Sequence, residues 1–299
     1  MSIAPQAAQG AVLRAAVWMS GAILSFSSMA VAGRELSTDL DTFEIMLYRS
    51  LIGLVIVLSV ASATGHLGQI RTEQLRLHGI RNLAHFAGQN LWFYAISLIP
   101  LAQVFALEFT SPIWVVVLSP FILGERLTSM RAVAALIGFV GILIVARPSP
   151  DSLNIGILTA ALAAICFAFT NVFTKKLTRT QSITQILFWL TFVQLILGLI
   201  SAGFDGDVTV PSMAAMPFIV VVGFAGLLAH FCITKALSLA PATVVMPIDF
   251  VRLPLITVVG MMLYSEPFDW YVFLGAAVIF AGNYLNIWQE TRPAPRQNA

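Results

Sequence analysis

Most of the side chains able to do chemistry in this chain lie inside long apolar runs, and they recur at helical spacing. Asn82, His85, Gln89 and Phe93 follow one another at intervals of three and four, which puts them on one stripe of a helix with Phe86, Asn90 and Trp92 beside it. Gly226, His230 and Thr234 keep the interval of four later in the chain, next to Phe231. Phe167, with Asn171 one turn on, adds another aromatic and polar pair. No Ser, His and Asp order, His-Glu-x-x-His or paired aspartate motif accompanies them, and His66, His78, His85 and His230 lack metal-ligand spacing. A phosphate-binding Gly-x-x-x-x-Gly-Lys-Ser/Thr loop is missing too. The expectation is therefore no catalytic residue, no metal, no cofactor and no primary pump. Amides, imidazoles and phenyl rings on shared faces suit a mostly apolar cavity with a few polar fixtures, the make-up of small-molecule sites. Gln89 and His230 could instead bond neighbouring helices, at about 1 kcal/mol or less each. Their matched places in two stripes favour the cavity, with His85, Phe86, Asn90, Phe93, Phe167, Asn171 and Phe231 around it.

Charged groups inside the same runs are few. Arg252 stands three residues after Asp249 and can pair with it along one helix face, while Arg49 is placed to reach Glu108 from a neighbouring helix. Buried pairs of this kind serve either structure or gating and coupling, and both readings stand here. Pro112 and Pro254 fall near the midpoints of the runs that hold the two acids. A proline there frees a backbone carbonyl, and either kinks the helix or hinges it.

The elements that must position these residues follow from composition. With 59% hydrophobic and 10% charged residues in 299, the chain is far more apolar than a soluble domain, which is about 45–50% apolar and 25% charged. An all-α membrane protein is expected, embedded in a lipid bilayer. Ten stretches are long enough to span: 12–33, 43–63, 79–98, 102–123, 130–146, 155–174, 183–202, 215–236, 243–264 and 270–288. The first follows Arg14 and contains Ala30-Val31-Ala32, as a signal peptide would, but its length reads as a membrane helix. With the N-terminus in the cytoplasm, twelve of the sixteen Lys and Arg face inward, only Arg34 and Arg147 face outward, and Arg49 and Arg252 lie within helices. Both termini are thus expected to be cytoplasmic. A net charge of +2 without a basic run argues against nucleic acid as a partner. Cys166 and Cys232 sit in apolar segments as small packing residues.

The chain is also written twice. Ala95-Ile-Ser-Leu-Ile-Pro100 leads into the run with Glu108 and Pro112, which closes on Gly124-Glu125. Ala236-Leu-Ser-Leu-Ala-Pro241 leads into the run with Asp249 and Pro254, which closes on Ser265-Glu266. Ala95 and Ala236, Pro100 and Pro241, Glu108 and Asp249, and Glu125 and Glu266 each stand 141 positions apart, as do Phe26 and Phe167. Two units, 1–147 and 148–299, would hold five crossings each. An odd count turns the second copy upside down, so ten transmembrane helices in two inverted five-helix repeats are expected, with a substrate site between them and access alternating from side to side. Small faces on the fifth and tenth helices (Gly138, Gly141; Gly275, Gly282) would serve the scaffold or a homodimer.

A five-helix unit with Ala-x-Ser-Leu-x-Pro before its fourth helix and Gly/Ser-Glu after it, occurring twice, resembles the EamA-type branch of the drug/metabolite transporter superfamily. The resemblance implies a ten-helix carrier in a bacterial inner membrane that exports small metabolites. Within the family the chain looks most like exporters of amino acids with bulky or aromatic side chains. Cationic drugs and sugar derivatives are the competing cargoes, and a passive pore or membrane scaffold is the competing class.

Overall fold

The computed structural model describes residues 3–124, 129–147, 154–204, 206–239 and 246–290. Among them the chain is helical throughout: α1 Ile3–Leu36, α2 Thr42–Ala63, α3 Leu75–Leu98, α4 Leu101–Glu108, α5 Ser111–Leu123, α6 Ser129–Ala146, α7 Ile155–Leu177, α8 Ile183–Ala202 and α9 Met216–Leu239. A 3-10 turn, Met246–Val251, then runs into α10 Arg252–Tyr264, and α11 is Trp270–Glu290. Of the repeated motif, Glu125 and Pro241 lie outside the described residues, as do the side chain of Pro112 and residue 148, where the second unit is expected to begin.

Local chemistry starts the long helices where the sequence breaks. Asp41 accepts the Glu44 amide at 2.8 Å while the Glu44 side chain takes the Asp41 amide at 3.0 Å, a capping box that opens α2. Asn154 opens α7 by accepting from the Ile157 amide, and Ser182 opens α8 by accepting from the Gln185 amide. Parts of α1, α2, α7, α8 and α9 are long and apolar enough to cross a membrane on their own. The polar face of α3 keeps it out of that group: His78, Arg81, Asn82, His85, Gln89 and Asn90 are all buried, so its polarity points inward.

The most extensive packing joins α1 to α9, α3 to α7, α2 to α8 and α6 to α11. A shift of 141 carries α1 and α9 onto α7 and α3, and carries the other two pairs onto themselves with partners exchanged. Every one of these pairs therefore joins one copy of the repeated sequence to the other. The small faces of α6 and α11 are used in this way. A Cβ on Gly141 would meet the Gly275 carbonyl oxygen at 2.8 Å, and one on Gly275 would meet the Gly141 carbonyl oxygen at 2.7 Å.

The expected fourth span is interrupted. α4 stops at Glu108 and α5 begins at Ser111, and in the ninth span the 3-10 turn carrying Asp249 precedes α10. Pro112 and Pro254 are thus the second residue of α5 and the third of α10. At the second position of α5 proline breaks no helical bond, since a first turn has no acceptor for its amide, and in α10 the proline stands where the 3-10 turn gives way to α-helix. The mid-helix place expected for these prolines is corrected to a helix start in each case.

Glu266 explains the repeated Pro and Glu. The Leu101 amide, directly after Pro100, donates to both Glu266 carboxylate oxygens at 3.0 Å, and Arg34 donates to one of them. Arg34 also donates to the carbonyl oxygens of Ile96 and Ile99, at 2.6 and 2.5 Å. The glutamate of one copy so satisfies the first amide after the proline of the other, at a helix N-terminus that favours negative charge. Glu266→Ala should lower the melting temperature of the purified protein by several degrees, because Arg34 is left mostly buried without its counter-charge. Glu73→Ala is the control: its pair with Arg71 is 57% and 67% exposed and should cost about 0–1 kcal/mol. Equal melting of the two variants would contradict a structural tie at Glu266.

Candidate substrate-binding cavity

One stripe of α3 and its counterpart on α9 meet in the interior. The rings of His85 and His230 stand edge to face with centroids 4.8 Å apart, His230 lies against Phe26 at 5.8 Å, and His85 lies beside Phe167 at 6.2 Å. They border a cavity of about 90 Å³, room for several waters. Twelve of its fifteen lining residues are repeat mates, each pair 141 positions apart: Phe26 and Phe167, Met29 and Thr170, Gln89 and His230, Trp92 and Ile233, Glu108 and Asp249, Ser111 and Arg252. His85, Phe109 and Asn171 complete the wall. Neither ring nitrogen of His85, nor Nε2 of His230, has a hydrogen-bond partner among the described residues. Buried polar atoms of this sort are available to a ligand.

Charge is concentrated at the two helix breaks. Arg252, at the start of α10, donates through Nη2 to Asp249 at 2.7 Å and to Glu108 at 2.8 Å. The second Glu108 oxygen accepts from the Trp92 indole at 2.9 Å. Phe26, Phe105 and Phe109 place their rings 4.9, 4.8 and 5.3 Å from the guanidinium carbon, which adds cation–π attraction on several sides. Two carboxylates sharing one guanidinium leave a formal charge of −1 facing the cavity. Among the described residues no group of three or more His, Cys, Asp or Glu is placed to hold a metal.

Of the expected site residues, His85, Gln89, Phe167, Asn171, His230, Glu108, Asp249 and Arg252 line this cavity. Phe93 does not, because steps of four along a helix drift by about 40° each, so two steps from His85 leave the face. The better third member is Trp92, and Phe93 instead packs where Gly33 leaves space in the core. Phe86 stacks on Phe43, Phe231 meets Trp18 edge to face, and Asn90 turns its amide back to the Phe86 carbonyl oxygen at 2.8 Å. Pro254 is outside the wall as well. Arg49 does not reach Glu108, since Arg252 already fills that place and α2 faces α8 and α9. Phe26, Met29, Phe109, Ser111, Thr170 and Ile233 were not marked by residue type. The offset of 141 applied to Phe167 and Arg252 returns Phe26 and Ser111, so the repeat itself carried that signal.

Removing Arg252 should be the costliest change here, because it leaves two buried carboxylates facing each other. Arg252→Gln is expected to lose about 3–5 kcal/mol of stability, and Asp249→Asn less, since Glu108 still holds the guanidinium. In denaturation of the detergent-purified protein, Arg252→Gln combined with Glu108→Gln should lose less than the two singles added together. Strict additivity would mean that the pair does not interact.

The model of the EamA-like transporter family matches residues 13–147 and again 154–288. An S-adenosylmethionine uptake transporter of Rickettsia bellii is 26% identical over 92% of this chain and 94% of its own length. Riboflavin transporters of Brucella anthropi and Vibrio cholerae are 30% and 28% identical, over 85% and 95% of this chain and 90% and 96% of their own. A solved crystal structure aligns with a TM-score of 0.66 at 19% identity, covering 92% of this chain and 96% of that one, which shows the shared fold alone. The cargoes named for these relatives are S-adenosylmethionine and riboflavin, and one named direction is uptake, so they lend no support to the expected amino-acid exporter branch. A duplicated apolar unit whose copies join around a polar cavity, matched twice by one family model, makes the chain a membrane transporter that belongs to the EamA-like transporter family.

Proposed function

We propose that the protein carries a positively charged heteroaromatic metabolite, of the kind represented by S-adenosylmethionine, inward across a bacterial inner membrane. In this reading ten crossings form two inverted five-helix repeats, 1–147 and 148–299, with both termini cytoplasmic. The observation that carries it is the cavity wall built from six pairs of repeat mates. A site on the axis between two related halves is where rocking one half against the other would alternate access.

Two features favour the cargo class. Phe26, Phe167, Trp92 and Phe109 offer ring faces and edges to a flat heterocycle. The net negative charge of Glu108, Asp249 and Arg252 favours a cation such as a sulfonium or ammonium over a neutral flavin. The tie among Arg34, Glu266 and the Leu101 amide joins α1, α4 and the segment after α10 at one end of the bundle, and serves as the gate on the outer side.

Proteoliposomes holding the purified protein and given labelled S-adenosylmethionine provide the test. Saturable uptake is expected, reduced about tenfold or more by His230→Ala or Gln89→Ala, whose residues line the wall, and little changed by Phe86→Leu, whose ring lies in the core. Uptake no greater than in empty liposomes, or uptake of riboflavin in preference, would overturn the cargo assignment.

A further inference from the structure

Behind the two histidines lies a cluster that the cavity wall does not use. Arg49 on α2 and Arg81 on α3 are only 6% and 3% exposed. Neither has a carboxylate within ion-pairing distance among the described residues. Arg81 donates to the Thr174 hydroxyl at 3.0 Å and to the Asn82 side-chain oxygen at 2.9 Å. Arg49 directs Nη1 to the Met46 sulfur at 3.8 Å, and its Nε has no partner. Arg81 stands one turn before His85 on α3 and bonds Thr174, one turn beyond the wall residue Thr170, while Arg49 lies against Gly226, one turn before His230 on α9.

The repeat shows how this cluster was made. Position 226 is the mate of His85, but it is glycine. A Cβ there would meet Nε of Arg49 at 2.5 Å and Nη2 at 2.9 Å. The guanidinium therefore occupies space next to α9 that the first copy gives to a cavity-lining imidazole. Two permanently charged groups in a low-dielectric interior are costly without a counter-charge. The acids on α2, on α4 and in the 3-10 turn are committed elsewhere: Glu108 and Asp249 to Arg252, and Glu44 to the Asp41 and Thr209 amides.

We propose that Arg49 and Arg81, with His85 and His230 in front of them, seat the anionic group of the cargo, a carboxylate. The inference rests on the cavity being the cargo site and narrows the cargo to a cation that also carries a carboxylate. Once movement of the halves widens the cavity beyond its present volume of about 90 Å³, the positive centre lies towards Glu108 and Asp249, the carboxylate towards the arginines, and the heterocycle between the aromatic walls.

Binding of labelled S-adenosylmethionine to the detergent-purified protein, competed by its decarboxylated analogue, tests the carboxylate with sulfonium and adenine held constant. The analogue should compete roughly tenfold or more weakly on wild type. Arg49→Gln should bring the two ligands to parity, and Arg49→Lys should keep part of the preference. Parity on wild type, or preference retained by Arg49→Gln, overturns the seat while leaving the cargo reading intact.

Melting in acetate supplies a readout independent of the cargo. Acetate should raise the wild-type midpoint and leave Arg49→Gln unchanged, and without acetate Arg49→Gln should melt no lower than wild type, since it removes an unpaired charge. Acetate stabilisation that depends on Arg49 without S-adenosylmethionine binding would sustain the seat and remove that cargo. A large drop in the midpoint of Arg49→Gln without acetate, or an acetate effect that this variant keeps, marks a structural arginine and an adventitious anion, and overturns the proposal.

Discussion

In hydrocarbon every backbone polar group and every charge has to be satisfied within the protein, and the acids at the end of α4 and in the 3-10 turn before α10 meet that demand by sharing one cation. Between α4 and α5 the helical ladder is interrupted next to Glu108, and at the matched place a 3-10 turn carrying Asp249 stands in for α-helix before α10. Arg252 holds both acids at 2.7 and 2.8 Å, so one guanidinium ties the discontinuity of the first copy to that of the second. The aromatic rings around it are also cavity wall or neighbours of it. Structure and site are thus the same residues.

Internal duplication sets most of the remaining architecture. The extensive helix contacts all join one copy to the other, and the Glu266 tie to Leu101 does the same at one end. Departures from the duplication are therefore informative. Gln89 and His230 are mates of similar hydrogen-bonding capacity, whereas His85 is matched by Gly226, where the guanidinium of Arg49 takes the space. Asymmetry of charge around a near-symmetric cavity is a means of orienting a cargo whose two ends differ.

Much of the fold was legible in the chain itself. Membrane class follows from 59% hydrophobic residues, and the repeat from an offset that recurs without adjustment. Family followed from the duplicated motif, because its residues make the tie on which the halves depend. Cargo did not, since substrate preference resides in a few side chains against an aromatic wall common to many apolar helices. Eight cavity residues were also readable, because polar side chains in apolar helices must face inward.

What the sequence determined by itself was the period, the polarity and the duplication, all of which act along one helix or between equivalent positions. Only the tertiary structure decided which cation meets which acid. Arg49 and Arg252 looked alike as buried arginines near a carboxylate, yet one is bonded to Glu108 and the other stands against Gly226. The choice depends on how α2, α9 and α10 pack, and no local rule of spacing contains it. Phe93 differs in this respect: its drift off the stripe that Trp92 occupies follows from about a hundred degrees per residue alone, which a helix keeps whatever packs beside it.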